Sequence, residues 1–313
     1  MALAPRRIGT FDQGHAGPLV ITIGGMHGNE PSGVAAIETV FQMLALEPIH
    51  NRSFRFRGRL VGLRGNRRAL NERTRYLKKD LNRQWTPEHI AFVREQANGN
   101  LTAENLEQKE LLSCIEDELR SYQPEQAILL DLHTTTATGG IFSISTDDPE
   151  STALATSMKA PVVNGLLKGI SGTILHWFNR DIARCDTIGL AFESGQHDDP
   201  LSIKRSVAAL INLLRGVGCV RAEDVETKHD ELLQEYSMGL PAVTELVDVH
   251  RIQEGDNFVM QPGYQNFQPV VKGECLATDK NGPILAEADG LILMPLYQQQ
   301  GDDGFFLIKP IEL

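Results

Sequence analysis

The sequence predicts an α/β fold: a mainly parallel mixed sheet flanked by helices, followed by a small antiparallel β domain at the C-terminal end. Continuous apolar runs, which are typical of strands buried on both faces of a sheet, occur at 19–23, 127–132 and 188–192. Apolar residues recur at helical spacing in 32–41, 101–122 and 201–214. Strands that alternate with helices imply a parallel sheet that is covered on both faces.

The first strand, Leu19–Ile23, leads into a glycine-rich loop that carries a histidine and a glutamate. The glycines between 24 and 28 let the chain turn tightly, and a helix begins after Pro31. His27 and Glu30 are therefore expected at the carboxyl end of a strand, where open α/β sheets have their binding crevice. Taken alone, the pair is equally compatible with a turn residue and an acid stabilised by the helix dipole.

A long loop follows the strands expected at 54–56 and 59–63. It runs from Arg64 to Trp85 and has too little apolar periodicity for an amphipathic helix. Loops of this length in compact domains are usually functional or disordered, and the large side chains of this loop favour a functional one. Basic residues crowd the same region of an acidic chain. They form either a solvated face or the lining of a pocket for an anionic small molecule.

A second histidine is expected at a strand end farther along the chain. The segment Leu101–Tyr122 predicts a helix with leucines on one side and Glu and Lys on the other. The apolar strand that follows it ends in Asp131-Leu-His133. Because carboxyl ends of parallel strands share one edge of a sheet, His133 is expected near the first loop.

A glutamate is expected at a third strand end. A strand at 140–145, a helix at 149–159 and a mostly irregular stretch at 172–184 precede it. The apolar strand at 188–195 then ends in Glu193-Ser-Gly, and a helix at 201–214 follows. The sequence thus predicts that three strand ends bring polar side chains to one edge of the sheet: His27 with Glu30, then His133, then Glu193.

From residue 242 onward the chain changes to short apolar runs separated by glycines, which predicts a small antiparallel β domain. The boundary is expected in the polar stretch 222–238. We therefore predict a catalytic domain at 1–222 and a β-rich domain at 223–313.

Composition narrows the class of protein. The net charge of −11 argues against a nucleic-acid partner or an anionic membrane surface. No segment approaches the roughly 18 apolar residues of a membrane span, and no signal-peptide-like run is present, so a cytoplasmic location is expected. The 4 cysteines are widely spaced and predict free thiols. The sequence does not determine the oligomeric state and is compatible with a homo-oligomer.

His27, Glu30 and His133 together supply two imidazoles and one carboxylate, which is the ligand set of a catalytic zinc with its fourth position open to water. Such a zinc lowers the pKa of its bound water to about 7 and polarises a carbonyl, so it supports amide and ester hydrolysis. Glu193 is the expected general base.

The residues that carry this chemistry also resemble a known family. The sequence resembles the succinylglutamate desuccinylase/aspartoacylase family, a branch of the zinc metallocarboxypeptidase superfamily, in three motifs. The first is Gly-Gly-Met-His27-Gly-Asn-Glu30, and the third is Asp131-Leu-His133-Thr-Thr-Thr. The second joins Gly-Asn66-Arg-Arg-Ala-Leu to Thr-Arg75-Tyr-Leu-Lys-Lys-Asp80-Leu-Asn82-Arg83. The match runs in order over roughly residues 18 to 215, and the C-terminal β domain also fits. The resemblance implies a zinc-carboxypeptidase-like fold and one Zn²⁺ per chain.

The resemblance further implies residue roles. His27, Glu30 and His133 would hold zinc, and Glu193 would act as acid and base, although Phe192 precedes it where the family usually has Val or Ile. The remaining expected roles concern substrate binding and orientation. Asn82 and Arg83 would bind the substrate α-carboxylate, Arg75 would polarise the scissile carbonyl, Asp80 would orient a zinc-bound histidine, and Arg180, Arg184 and Tyr297 are candidates for reading a side-chain carboxylate.

The predicted function is therefore zinc-dependent hydrolysis of the amide bond of a small anionic N-acyl amino acid. A zinc carboxypeptidase-like peptidase that acts on a small or cell-wall-derived peptide is the alternative within enzymes. A non-catalytic carboxylate-binding protein is the alternative of another class. The other histidines at 89, 176, 197, 229 and 250 are expected to be structural.

Overall fold

The strands and helices of the protein are taken from a computed structural model that describes residues 3–311, so residues 1–2 and 312–313 of the predicted domains lie outside it. The strands are β1 (Arg7–Asp12), β2 (His15–Gly24), β3 (Arg57–Arg64), β4 (Gln126–Thr135), β5 (Phe142–Ser145), β6 (Val162–Asn164), β7 (Asp186–Gln196), β8 (Val243–Arg251), β9 (Val259–Met260), β10 (Gln268–Val270), β11 (Cys275–Asp279), β12 (Gly282–Leu285), β13 (Gly290–Leu293) and β14 (Asp303–Pro310). The α-helices are α1 (Ser32–His50), α2 (Arg67–Glu72), α3 (Pro87–Glu95), α4 (Ala103–Tyr122), α5 (Pro149–Ser157), α6 (Leu166–Gly169), α7 (Ile174–Trp177), α8 (Arg180–Ala183), α9 (Leu201–Gly216) and α10 (Lys228–Tyr236). Short 3₁₀ helices lie at Leu81–Arg83, Asn98–Asn100 and Ala222–Asp224.

A mixed sheet of 11 strands organises the described part of the chain, in the order β1-β3-β2-β4-β7-β5-β6-β8-β14-β13-β10. Its centre, β3-β2-β4-β7, is parallel throughout. A second sheet of 3 antiparallel strands has the order β12-β11-β9. The predicted fold class is confirmed: a sheet with a parallel centre is flanked by helices, and a small antiparallel sheet lies in the C-terminal part.

Alternation along the central strands supplies a core on each face of the sheet. On β2 and β4, Val20 and Ile128 face one core, where α1 and α9 pack. Their neighbours Ile21 and Leu129 face the other core, where α3 and α4 pack. Because side chains alternate between faces, strands buried on both sides must be apolar at nearly every position. This is the reason that these runs are recognisable in the sequence.

The strand order sets the position of the site. β3 pairs with one edge of β2 and β4 pairs with the other, so the chain reverses its direction of winding at β2. Open α/β sheets bind ligands in the crevice outside the carboxyl ends of strands at such a reversal. The loop after β2 and the end of β4 meet at that crevice.

The structure differs from the predicted elements in the first half of the chain, where β1 was not predicted and α2 lies within the predicted loop at 64–85. The predicted strand at 54–56 is wrong, because the Phe56 N–H donates to the Gln13 side chain at 2.7 Å rather than to a strand partner. On the polar side of α4, Glu104 and Glu107 are fully buried. These two acids hold the loop and helix that lie beside them, as described below.

The C-terminal strands divide between the two sheets. β8 pairs with β6 in parallel, and β14, β13 and β10 extend the central sheet from there. β9, β11 and β12 form the separate sheet. The division of the chain into domains at 1–222 and 223–313 stays a prediction. No helix within residues 3–311 is long and apolar enough to cross a membrane.

Candidate active site

The loop between β2 and α1 is shaped by close backbone packing. Gly25 has a φ of +72°, a conformation that glycine adopts without strain. A Cβ on Gly28 would lie 2.0 Å from the carbonyl carbon of Ala69 at α2, so only glycine fits there. The Gly28 N–H also donates to the Arg75 carbonyl at 3.1 Å. The loop is thereby fastened against α2 and the segment that follows it.

This loop brings His27 and Glu30 to His133 on β4. One ligand atom from each of the three side chains lies within 4.8 Å of the others, a spacing that could hold a metal ion. All three residues are buried. His27 Nδ1 lies 2.9 Å from Glu30 Oε1, and His133 Nδ1 lies 3.1 Å from Glu30 Oε2. The structure therefore brings together the three residues that the sequence predicted as metal ligands.

Each histidine is held from behind by an aspartate. His27 Nε2 lies 3.1 Å from Asp80 Oδ1, and His133 Nε2 lies 2.7 Å from Asp131 Oδ2. Such carboxylates fix the orientation and tautomer of a metal-binding imidazole. The contact of Asp80 matches the partner expected for it.

The charges of the cluster suit a cation. Burial raises the pKa of Glu30, but His27 and His133 outweigh it and hold the pKa well below its usual range, so Glu30 is a carboxylate. Burial lowers the pKa of His133, yet the charges of Asp131 and Glu30 raise it well above its usual value. The negative charges of Asp131 and Glu30, which favour a proton on His133, also favour a divalent cation bound at its Nδ1. Two imidazoles, one ionised carboxylate and oriented rings fit zinc.

Glu193 faces this cluster from β7, where it is paired in register with His133. It is buried, and its Oε2 has no hydrogen-bond partner in the described part of the chain. Burial, together with the negative charges of Glu30 and Asp131, raises the pKa of Glu193 to about 8, against the opposing effect of His133. A carboxyl group with a pKa near neutrality is suited to proton transfer.

The segment after α2 carries the other predicted site residues. Arg75 donates from Nη2 to Asp80 Oδ2 at 2.9 Å, and its Nη1 lies 3.7 Å from Glu30 Oε1. Asn82 donates from Nδ2 to Asp131 at 3.3 Å and accepts from the Ile174 N–H at 3.0 Å. Asn82 therefore braces the aspartate behind His133 as well as lining the cavity.

Arg83 lies in the same cavity wall, and two of its guanidinium nitrogens are already engaged. Nη2 donates to Asp303 at 2.6 Å and Nη1 to the Asn82 carbonyl at 2.8 Å. Its buried Nε has no hydrogen-bond partner within residues 3–311. These two contacts use two of the five guanidinium N–H groups, so three N–H groups of Arg83 stay unengaged in the described part of the chain.

The structure does not bring Arg180, Arg184 and Tyr297 into the cavity wall. Arg180 is exposed and pairs with Asp186 at 2.8 Å. Arg184 ends α8 in a left-handed conformation with a φ of 57°. Tyr297 directs its hydroxyl to the Gln261 carbonyl at 3.0 Å. These three side chains therefore lie outside the cavity wall.

Several cavity residues were not predicted. Asp131 lies two residues before His133, a spacing that puts both side chains on one face of a strand, and this signal could have identified it. His197, expected to be structural, lines the cavity and contacts Thr134 Oγ1 at 2.7 Å. Asp302 and Asp303 line it from the C-terminal part, where no local pattern marks them.

Comparisons with known proteins find a family match over the part of the chain that carries this site. The model of the succinylglutamate desuccinylase/aspartoacylase catalytic domain family matches residues 16–203. A probable aspartoacylase from Acaryochloris marina is 30% identical over 131 residues, which are 41% of this chain and 39% of the relative, so the match spans well under half of that protein.

Solved structures share the fold at low identity. A succinylglutamate desuccinylase/aspartoacylase from Rhodobacter sphaeroides superposes with a TM-score of 0.64 at 17% identity, over 95% of this chain and 86% of that one. The product-bound ectoine utilization protein EutE (DoeB) from Ruegeria pomeroyi superposes with a TM-score of 0.62 at 18% identity, over 94% and 86% of the two chains.

Proposed function

We propose, since this chain belongs to the succinylglutamate desuccinylase/aspartoacylase family, that it is a zinc-dependent hydrolase that cleaves the amide bond of a small N-acyl amino acid. The observation that carries the proposal is the meeting of His27, Glu30 and His133 within 4.8 Å of one another. Glu193 lies beside them with a free carboxyl oxygen and a pKa of about 8.

When bound by His27, Glu30 and His133, zinc supplies Lewis-acid polarisation of the scissile carbonyl and lowers the pKa of a water molecule. Asp80 and Asp131 keep the two imidazoles oriented through their Nε2 atoms. Arg75, whose guanidinium lies beside Glu30, stabilises negative charge that develops on the carbonyl oxygen.

Glu193 moves the proton. Its carboxylate takes a proton from the attacking water as the new C–O bond forms, and it then gives that proton to the amide nitrogen as the C–N bond breaks. The products are a carboxylate from the acyl group and a free amino acid. The pKa of about 8 belongs to the metal-free site, and the positive charge of a bound zinc ion would lower it, so that the carboxylate that accepts the proton would be present near neutral pH.

Arg83 anchors the α-carboxylate of the substrate through guanidinium N–H groups that Asp303 and the Asn82 carbonyl do not engage. The hydrogen bond to Asp303 holds the guanidinium in place at the cavity wall. Asn82 acts beside it by holding Asp131 and thereby His133.

A small substrate suits the cavity better than a peptide. Its volume is about 110 Å³, and residues 294–303 of the C-terminal part line one wall. This wall favours an acylated amino acid over the peptide substrate of the alternative prediction. Glu193 and the proposed metal ligands line the same cavity, which is the arrangement of a catalytic site. This favours a hydrolase over the alternative of a non-catalytic carboxylate-binding protein.

The test measures zinc content and hydrolysis of N-acyl amino acids on one preparation. His27→Ala and His133→Ala are expected to lose both stoichiometric zinc and activity, because each removes one of three protein ligands. His50→Ala is the matched control, since His50 is exposed at the end of α1. Full zinc occupancy in either ligand variant, or zinc-loaded protein without activity on any N-acyl amino acid, overturns the proposal.

A further inference from the structure

We infer that the amino acid released at this site has an apolar side chain, so that the substrate is a monocarboxylic N-acyl amino acid of the N-acetyl-leucine type. The inference rests on the proposed function, because it names the substrate class of the same site. It is carried by the shape of one cavity wall and by the pairing of the charges around it.

An apolar wall lines the cavity beside the catalytic cluster. It is built from β5, the segment around α6 and α7, the end of β13, and β14. Its members are Ile144, Leu167, Ile170, Leu175, Met294 and Phe306. Four of them, all but Leu167 and Met294, are buried, so the wall is part of the ordered core rather than a surface patch. A wall of this kind accepts an apolar group by excluding water from it.

The wall begins next to the proton-transfer residue. Ala191 lies two residues before Glu193 on β7, and side chains two apart face the same side of a sheet, about 7 Å apart. Ala191 lines the cavity and pairs in register with Ile144 of β5. The apolar wall therefore begins at Ala191 and Ile144, next to the side chain of Glu193 at which the amide is cleaved.

The wall shares one end of the cavity with the carboxylate anchor. The Ile174 N–H donates to Asn82 Oδ1 at 3.0 Å, and the Trp85 N–H donates to the Gly172 carbonyl at 2.9 Å. A Cβ on Gly172 would lie 2.4 Å from the Arg83 carbonyl oxygen, so these two segments are in backbone contact. A substrate whose α-carboxylate contacts Arg83 therefore places its amino-acid side chain, rather than its acyl group, against the wall.

Charges around the cavity do not provide for a second carboxylate. Within residues 3–311, Arg75 and Arg83 are the only Arg or Lys side chains in its wall. Arg75 pairs with Asp80, and Arg83 pairs with Asp303, which also pairs with Arg251. Asp302 adds a further negative charge at the rim. A side-chain carboxylate would meet apolar groups without a free cation, which strongly disfavours its burial.

The first experiment compares N-acetyl-leucine, N-acetyl-aspartate and N-hexanoyl-aspartate on the zinc-loaded full chain. We expect kcat/KM for N-acetyl-leucine to exceed that for N-acetyl-aspartate by about 100-fold or more, because burial of an unpaired carboxylate is costly. A preference for N-acetyl-aspartate overturns the inference. A preference for N-hexanoyl-aspartate also overturns it, because the wall would then hold the acyl chain.

Failure of the proposed function has a different signature. If the zinc-loaded protein hydrolyses neither these three compounds nor any other N-acyl amino acid, the hydrolase proposal is wrong. Calorimetry then measures the affinity of the protein for N-acetyl-leucine and N-acetyl-aspartate. Tighter binding of N-acetyl-aspartate overturns the inference of an apolar amino-acid side chain.

Variants of Leu167 test the wall directly, because this residue is half-buried and tolerates change better than its neighbours. Leu167→Arg is expected to lower kcat/KM for N-acetyl-leucine by about 10-fold and to raise it for N-acetyl-aspartate. Leu167→Ala, which adds no charge, should lower only the value for N-acetyl-leucine, again by about 10-fold. Leu232→Arg on α10, also half-buried and remote from the cavity, is the control. Equal effects of both Leu167 variants on the two substrates would contradict the assignment.

Discussion

Two buried carboxyl groups have an oxygen that no other group in residues 3–311 contacts by a hydrogen bond. They belong to Glu193 and Asp131, and both lie beside His133. An unpaired buried polar atom costs about 1–3 kcal/mol. Proteins retain such atoms where function requires them. Both atoms lie at the cluster of His27, Glu30 and His133, as expected if Glu193 transfers a proton and Asp131 orients His133.

Glu193→Gln keeps the shape of the side chain but cannot transfer a proton. We expect kcat to fall by about 10²–10⁴ while zinc content is unchanged. Metal analysis and steady-state kinetics on one preparation measure both. Glu287→Gln, on an exposed loop, serves as the control. Turnover close to wild type in Glu193→Gln would assign the proton transfer to another residue.

Asp131→Asn removes the charge behind His133 and leaves the strand intact. Loss of such a carboxylate typically lowers metal affinity by about 10–100-fold, because the imidazole becomes a weaker and less oriented ligand. Competition with a fluorescent zinc chelator measures the change. Asp80→Asn should behave similarly, since Asp80 holds His27 in the same way. A zinc Kd that does not move in Asp131→Asn rules out this role.

Short elements that lie far apart in the sequence assemble the substrate side of the site. The 3₁₀ helix Leu81–Arg83 presents Asn82 and Arg83, and Asp303 at the start of β14 engages the latter at 2.6 Å. α4 supports the preceding loop, because Glu104 accepts from the Leu77 N–H at 2.7 Å. A strand, a helix and one turn of 3₁₀ helix thus fix the position of a single guanidinium.

Arg83→Lys keeps the charge but loses the planar group that reaches Asp303 and the cavity together. A charge-assisted hydrogen bond contributes about 1.5–3 kcal/mol, so kcat/KM for an N-acyl amino acid should fall by roughly 10- to 150-fold. The corresponding amide, which lacks the α-carboxylate, should be a poor substrate and lose little further. Arg55→Lys on the exposed surface controls for the substitution itself. Equal losses for acid and amide would show that Arg83 does not bind the α-carboxylate.

A buried ion cluster joins three parts of the molecule behind the site. Glu107 on α4 pairs with Arg6 near the N-terminal end, with Arg67 on α2 at 3.2 Å, and with Arg68. Glu107 is fully buried and Arg6 nearly so. Burial raises the pKa of Glu107, but Arg6 and Arg67 lower it more, so the folded-state pKa lies below the usual 4.5.

Glu107→Gln removes the buried carboxylate that pairs with Arg6 and leaves Arg6 only the half-exposed Glu110, at 3.2 Å, so the free energy of unfolding should fall by about 3 kcal/mol at pH 7. The depressed pKa sets the pH dependence. The stabilisation is present above pH 4.5, the usual value, and is lost as the pH falls through the lower folded-state pKa. The variant should therefore unfold with a flatter pH dependence in acid than wild type, as measured by urea denaturation.

Glu116→Gln is the matched control for this cluster. Glu116 lies on the same helix and pairs with the exposed residues Arg94 and Arg120. Surface pairs contribute about 0–1 kcal/mol, so this variant should be nearly as stable as wild type. A loss for Glu107→Gln no larger than that of the control would mean that the buried cluster adds nothing to stability.

Local patterns in the sequence were sufficient for the parallel centre of the sheet and for the residues at its edge. Apolar runs mark β2, β4 and β7, and the carboxyl ends of parallel strands must share one edge, so His27, Glu30, His133 and Glu193 could be expected to meet. The structure brings them together. Asp131 was within reach of the same reasoning, because a spacing of two on a strand places side chains on one face.

Contacts between distant segments were decided by the tertiary structure alone. Asp303 is 220 residues from Arg83, and no spacing rule relates the two, yet their ion pair fixes the position of the Arg83 guanidinium. The same holds for the apolar wall, whose members come from four separate regions, and for Arg180, which packing leaves on the surface. Sequence determines which side chains stand at the end of each strand, because that depends on near neighbours. The tertiary structure decides which charges are paired and which surfaces face the substrate, because pairing and burial depend on every element packed around the cavity.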